Sequence, residues 1–389
     1  MKKLLWVSDA ACPTGFARAT HEILDVVRHS YDVTVLGMNY RGDPHPYPYP
    51  IYACMPGGDG FGVGRLIWMC DLVRPDVIVF QNDGWNIPAY MARLKLVEDY
   101  AKIPVIATLA VDGKNFQGKW LDGVSHAVFW TRFALGEARA GGYLGPASVI
   151  PLGVDLNNYY PMEKHEARAL KGVPTELQDS FIVGNVNRNQ PRKRWDLTIR
   201  YFAQWASSEG IPDALLLLHI APTGDTGVQP QQLAKYYGLK NLLVIEPPMW
   251  YGVAENDMRE TYNCLDVQIT TTQGEGFGLT TFEGMACGVP QIVPAWSALK
   301  ELTKDAAWQI PCSSTAIGSP YVNVLGGVAD EAEFMVALNA LYRSKELRQE
   351  WGQKGLQRVR EARFQWPEIG RQFKQVVDSV ALKEEEVPA

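Results

Sequence analysis

Between Val267 and Pro290 the chain passes through a short apolar run (Val267-Gln268-Ile269), a glycine-rich turn and a helical pattern. The turn reads Gln273-Gly274-Glu275-Gly276-Phe277-Gly278, the helix runs from Leu279 to Cys287, and Gly288-Val289-Pro290 stops it. A strand, a glycine turn and a helix together make an anion site. The first amides of a helix have no partner within it, its dipole is positive at that end, and glycines let backbone approach a phosphate. Glu275 and Glu283 flank the turn with seven residues between them. Carboxylates repel phosphate, so these two need other partners. The hydroxyls of a sugar and of a ribose would supply them.

The rest of the chain repeats the strand-then-helix rhythm in two sets. Leu4–Val7, Val33–Leu36, Asp76–Phe80, Val105–Leu109 and Ala127–Trp130 read as parallel strands, with helical segments such as Ala17–Arg28 and Gly64–Val73 between them. After a polar break at Tyr159-Tyr160-Pro161, a second set follows at Phe181–Gly184, Ala214–Ile220, Leu242–Ile245, Val267–Ile269 and Gln291–Val293. This alternation argues an α/β chain of two doubly wound, Rossmann-like domains, with ligands outside the carboxyl ends of the strands. We place a first domain at 1–155, a second at 156–364, and a C-terminal helix with an acidic tail at 365–389.

The 389 residues are 47% apolar with a formal charge of −6, enough for ordinary cores and without a global basic field for nucleic acid or anionic membrane. The six cysteines form no C-x-x-C pair and read as buried free thiols, which fits a reducing compartment. No apolar run reaches the roughly 18 residues of a membrane span, and Leu4–Val7 is too short for a signal-peptide core. A soluble, cytoplasmic protein is expected.

Other loops carry candidate chemistry. Asn185 to Arg194 follows the first strand of the second set and holds four cations, Arg188, Arg192, Lys193 and Arg194, where they can neutralise a departing diphosphate. The loop Ala11 to Arg18 has a single glycine, Gly15, so it lacks the Gly-x-Gly-x-x-Gly dinucleotide fingerprint; Arg18 there could reach a ligand or face solvent. His126 and His219 sit in strand-like surroundings and read as packing residues. No Asp-x-Asp pattern is present, so a metal is not expected. Pro247-Pro248-Met249-Trp250 could line a base pocket, and the proline-rich His45–Pro50 reads as a surface loop.

Glu275 and Glu283 enclosing Gly276-Phe277-Gly278, followed by Gly284-Met285-Ala286-Cys287-Gly288-Val289-Pro290, resemble the donor-site signature of glycosyltransferase family 4. Ile150-Pro151-Leu152-Gly153-Val154-Asp155 resembles that family's interdomain linker. The resemblance implies the GT-B fold, two Rossmann-like domains facing across a cleft, with the C-terminal helix crossing back to the first. It also implies retaining transfer from a nucleoside-diphosphate sugar, a co-substrate rather than a cofactor. Carried over, Glu275 meets donor-sugar hydroxyls and Glu283 the ribose. The amides of Gly276, Phe277, Gly278, Leu279 and Thr280 face the diphosphate. Arg188 and Lys193 match the family's Arg and Lys, which leaves Arg192 and Arg194 as solvated residues, and Gly15 approaches the phosphates.

One departure stands out. Members often carry a His after the strand equivalent to Val105–Leu109, and here Ala110-Val111-Asp112-Gly113-Lys114 has Asp112 in that place. Asp112 is therefore expected to contact donor sugar or acceptor. The acceptor is open: a small molecule, lipid or polysaccharide, or a hydroxymethyl-type base in DNA. Trp68, Trp85, Trp120 and Trp130, near Lys114, Lys119 and Arg132, could stack on such a base. A non-catalytic nucleotide-sugar binding protein, or a phosphorylase-like or epimerase enzyme on the same fold, are the rival readings.

Overall fold

The computed structural model describes residues 1–56, 59–220, 227–246, 252–319 and 322–381. The base-pocket candidate Pro247–Trp250 and the acidic tail from Lys383 lie outside the described residues. The chain divides into two compact units. The first holds Met1–Val111, Asn115–Gly153 and Ala362–Ala389; the second holds Asp112–Lys114 and Val154–Glu361.

The first unit is a seven-stranded parallel sheet: β1 (Lys3–Asp9), β2 (Asp32–Met38), β3 (Ile51–Ala53), β4 (Val77–Asp83), β5 (Val105–Ala110), β6 (His126–Phe129) and β7 (Ala147–Val149), in the order β3-β2-β1-β4-β5-β6-β7. Its central strands are nearly continuous apolar runs because helices cover both faces. Trp6 and Phe80 are fully buried. The helix Gly15–Val27 is capped by the Thr14 hydroxyl, which accepts from the Ala17 amide. Against it packs the C-terminal helix Trp366–Ala381. Phe373 meets Trp6 at 5.1 Å between ring centroids, and the Tyr31 hydroxyl donates to Asp378 over 2.6 Å.

The second unit contains a six-stranded parallel sheet of β8 (Phe181–Val186), β9 (Ala214–His219), β10 (Leu242–Ile245), β11 (Val267–Ile269), β12 (Gln291–Pro294) and β13 (Trp308–Ile310), in the order β10-β9-β8-β11-β12-β13. The order reverses between β8 and β11. Chain leaving the carboxyl ends of those two strands therefore diverges and opens a crevice. The cationic loop follows β8 and the glycine turn follows β11, so the topology brings the two loops together. An antiparallel hairpin, β14 (Cys312–Ser319) with β15 (Val324–Ala329), completes the unit and was not anticipated from sequence. Leu325 of β15 forms a bridge with Lys114, its carbonyl accepting from the Lys114 amide over 2.9 Å.

All six cysteines are free; Cys12 and Cys312 are half-buried and the other four buried. Among the described residues no helix is long and apolar enough to cross a membrane.

Candidate donor site

Two loops build the core of the site. After β8 the chain makes a single 3-10 turn, Pro191–Lys193, and Arg194 takes a left-handed conformation (φ 51°) before the helix Trp195–Ser208 begins. The turn is pinned to the other loop. The Gln273 amide donates to the Arg192 carbonyl over 2.8 Å, and the Thr271 hydroxyl to the Arg194 carbonyl over 2.7 Å. After β11, Gly278 adopts φ 98° as it leads into the helix Leu279–Ala286, a value only glycine takes without strain. The first amides of that helix lack intrahelical acceptors. Phe277 is turned inward against Phe282, with centroids 4.5 Å apart.

These constraints converge four charged side chains. Lys193 Nζ lies 2.5 Å from Glu275 Oε1. Arg192 Nη1 lies 3.2 Å from Glu275 Oε2, and Arg192 Nε lies 3.0 Å from Asp112 Oδ2. Arg192 also donates to the Gly274 carbonyl. The Glu275 backbone is fixed independently: its amide donates to Ser297 Oγ over 2.9 Å, and that hydroxyl donates back to the Glu275 carbonyl over 3.1 Å. A Cβ at Gly274 would run into the Asp112 carbonyl oxygen, and one at Gly113 into the Leu325 carbonyl oxygen. Both glycines are required by the close approach of the Asp112 segment.

The electrostatics follow from burial. Glu275 and Lys193 are 9% and 8% exposed. Burial opposes ionisation of Glu275, but the Lys193 ammonium and Arg192 guanidinium outweigh it and hold the carboxyl at about 2. Burial lowers the Lys193 ammonium to about 8, because attraction by Glu275 is partly offset by repulsion from Arg192. For Asp112, burial and the nearby Glu275 carboxylate raise the carboxyl above its ordinary value, against the pull of Arg192 and Lys193. At neutral pH Glu275 and Lys193 are both ionised.

The remaining expected residues fall as follows. Glu283, 5% exposed on the helix Leu279–Ala286, accepts from the Tyr262 hydroxyl over 2.5 Å. Arg188 is exposed in the same loop as Lys193, and its carbonyl accepts from Trp195 Nε1 over 2.9 Å. Gly15 opens the first helix of the other unit and is exposed. His219 is buried, and burial lowers it to about 4. His126 is half-buried and bonds to Ser148 Oγ over 2.9 Å. Two expectations are corrected. Arg192 is not solvated: its fork spans two carboxylates. Arg194 is paired with Asp196 at 2.9 Å. Sequence reasoning also passed over Ser297 and Tyr262, which lie far along the chain from the residues they hold and belong to no motif.

A family model described as "Family 4 Glycosyltransferase in conflict systems" matches residues 146–373, more than half of the chain. A D-inositol 3-phosphate glycosyltransferase of Geodermatophilus obscurus is 30% identical over 205 residues, covering 51% of this chain and 41% of that protein. A protein of the same name from Mycolicibacterium smegmatis is 30% identical over 160 residues, covering 40% and 34%. The matches thus span only a third to two-fifths of these relatives. Among solved structures, sucrose-phosphate synthase of Thermosynechococcus elongatus superposes with a TM-score of 0.77 at 17% identity, covering 97% of this chain and 99% of that one. Anabaena HepE, solved in complex with UDP and glucose, gives 0.72 at 16% identity, covering 97% and 100%. The likeness at such low identity establishes the GT-B fold expected from the sequence. With the family model matching the region that carries Lys193, Glu275 and Glu283, the chain belongs to the family 4 glycosyltransferases of conflict systems.

Proposed function

We propose that this protein transfers a sugar from a nucleoside-diphosphate sugar to an acceptor hydroxyl with retention of anomeric configuration. The observation that carries the reading is the buried Lys193–Glu275 pair at the mouth of a glycine turn that opens a helix. One side chain suits a leaving phosphate and the other a sugar hydroxyl. The bond from the anomeric carbon to the distal phosphate oxygen breaks, the acceptor oxygen bonds to that carbon, and the acceptor proton goes to the departing diphosphate. Lys193, Arg188 and the amides of Gly276 to Thr280 stabilise the departing oxygens without a metal ion. Glu275 orients the sugar and Glu283 the ribose. Asp112 accepts a hydrogen bond from a sugar or acceptor hydroxyl, and Gly15 approaches the phosphates. The first unit serves the acceptor and the second the donor. Retention is proposed on the stereochemistry of the resembled family.

A small acceptor is favoured over duplex DNA by the tryptophans. Trp130 is 6% exposed and donates to Thr108 over 3.1 Å. Trp85 and Trp120 pack on each other, at 6.2 Å between centroids. Trp68, though 45% exposed, has Arg65 over its ring at 4.4 Å and Tyr52 edge-on at 5.9 Å. The test incubates the protein with UDP-glucose, with which Anabaena HepE has also been solved in complex, in the presence of a chelator. Acceptors offered are polyols, inositol phosphates and hydroxymethylated DNA. Transfer to a small acceptor with an α-linked product by NMR supports the reading. UDP-glucose binding without hydrolysis or transfer to any acceptor would favour a binding protein instead.

A further inference from the structure

The Arg192 guanidinium stands between two carboxylates and is anchored at both ends, its main chain to Gln273 and its side chain to Gly274, Glu275 and Asp112. The resemblance picks out Arg188 and Lys193 in this loop and gives Arg192 no role. We infer that Arg192 is a positioning residue of the transfer reaction: it clamps Asp112 beside Glu275 and keeps Glu275 oriented and ionised when Lys193 turns toward the donor diphosphate. This rests on the reading above that the site transfers sugar from such a donor.

Asp112 and Glu275 are negative when ionised, Arg192 and Lys193 positive, so the group is balanced. Lys193 has one charge and two calls on it. If its ammonium moves to a phosphate oxygen, Glu275 loses a contact of 2.5 Å and Arg192 is the cation left beside it, with the Thr272 hydroxyl as a neutral donor. Without Arg192, two buried carboxylates would share Lys193, and each would resist its release. A forked, always-charged side chain is the group able to bridge two carboxylates at once; a lysine ammonium offers charge without the fork. The charged groups facing Asp112 are Arg192, Glu275 and Lys193. The hairpin strand across from its segment, Val324–Ala329, contributes no ionisable side chain. Burial already raises the Asp112 carboxyl, so removing Arg192 raises it further.

The experiment measures kcat and KM for UDP-glucose turnover against pH in the full chain, for Arg192→Gln, Arg192→Lys, Glu275→Ala and Lys193→Ala. Arg192→Gln is expected to lower kcat about tenfold, with its acid limb moved up by about one pH unit. Arg192→Lys is expected to return the acid limb toward its original place while kcat stays low, since charge is restored but not the bridge. The inference is overturned if Arg192→Gln keeps the wild-type profile while Glu275→Ala and Lys193→Ala are inactive. It is also overturned if Arg192→Gln loses activity and thermal stability together with no movement of the acid limb, as a purely structural residue would. Full turnover in Glu275→Ala and Lys193→Ala would instead remove the sugar-transfer reading itself.

Discussion

Lys193 and Glu275 lie 82 residues apart in sequence and 2.5 Å apart in the fold, each less than a tenth exposed. They meet because β8 and β11 are neighbours at the point where the strand order reverses. A buried pair of this kind is costly to break from one side, because the remaining charge stays desolvated. We expect Glu275→Ala and Lys193→Ala each to cut turnover by about 10²- to 10³-fold. In a double-mutant cycle on stability, the two changes should couple by roughly 1–3 kcal/mol. Chemical denaturation of the four proteins measures this, and additive losses would mean the pair does not interact.

The alkaline side of the activity profile should report Lys193. Its ammonium titrates near 8, so it is charged at neutral pH and loses its proton within the accessible range. Turnover that depends on a cation against the leaving diphosphate should therefore fall above about pH 8. Lys193→Arg should move that fall to higher pH, because guanidinium keeps its charge. A kcat/KM profile from pH 6 to 10 with both proteins decides it.

The two sheets were legible because parallel strands covered on both faces read as unbroken apolar runs, as Ala214-Leu215-Leu216-Leu217-Leu218 does. The glycine turn and its two glutamates were legible because their spacing is local. The hairpin Cys312–Ser319 and Val324–Ala329 was not, since its first strand is mostly small and polar and its second is interrupted by two glycines. Its part in holding Asp112 is carried by a single backbone bridge to Lys114, which leaves no side-chain signal. Arg192 was misjudged for a related reason. In a run of adjacent cations, only the tertiary partner distinguishes a clamp from a solvated side chain, and here the partner Asp112 is 80 residues away. Ile51–Ala53 and Ala147–Val149, three-residue edge strands, are too short to show a period.

Acid stability should depend on Glu275. Its folded carboxyl titrates at about 2 against an ordinary 4.5, so as pH falls the unfolded chain takes up the proton first. The stabilisation is fully present above the ordinary value and is lost as pH falls through the folded one. With the side chain 12% exposed, it amounts to on the order of 1–3 kcal/mol. Lys193 gives a slope of the same sign in a different window: its lowered value means the unfolded chain holds more protons between about 8 and 10.5, so the burial cost of its charge is relieved and stability rises with pH there. Urea melts at several pH values should show Glu275→Gln with a flatter acid fall than the parent protein.

Gly274 and Gly113 should not tolerate a methyl group. At either position a Cβ would overlap a carbonyl oxygen of the neighbouring segment, Asp112 at the first and Leu325 at the second. Backbone oxygens cannot rotate away, so the Asp112 segment must lift. Gly274→Ala and Gly113→Ala are each expected to cost roughly 1–3 kcal/mol and to lower turnover with it. Gly136→Ala, with open space around its Cβ inside the helix Arg132–Ala140, is the control that should leave turnover unchanged and raise stability by about 0.5–1 kcal/mol, the helix preference of alanine over glycine. Melting temperature and turnover read together check the three.

Glu283 offers a test of ribose recognition that is independent of the chemistry. Its carboxylate is buried and receives the Tyr262 hydroxyl, which is itself fully buried, so its orientation is set from behind. A carboxylate so held can accept from ribose hydroxyls and has no equivalent interaction with a donor that lacks one. Removing a hydroxyl from the donor should then weaken binding by about 1–2 kcal/mol in the parent protein, roughly 5- to 30-fold. In Glu283→Ala the same deoxy donor should bind as well as the ribose donor, because the group that senses the difference is gone. Tyr262→Phe should fall between, keeping the carboxylate but losing the hydrogen bond that aims it, so that its discrimination is reduced but not abolished. Isothermal titration of UDP-glucose and its 2′- and 3′-deoxyribose analogues against the three proteins gives the comparison. Equal discrimination in parent and Glu283→Ala would move ribose recognition to another residue while leaving Glu275 and Lys193 untouched.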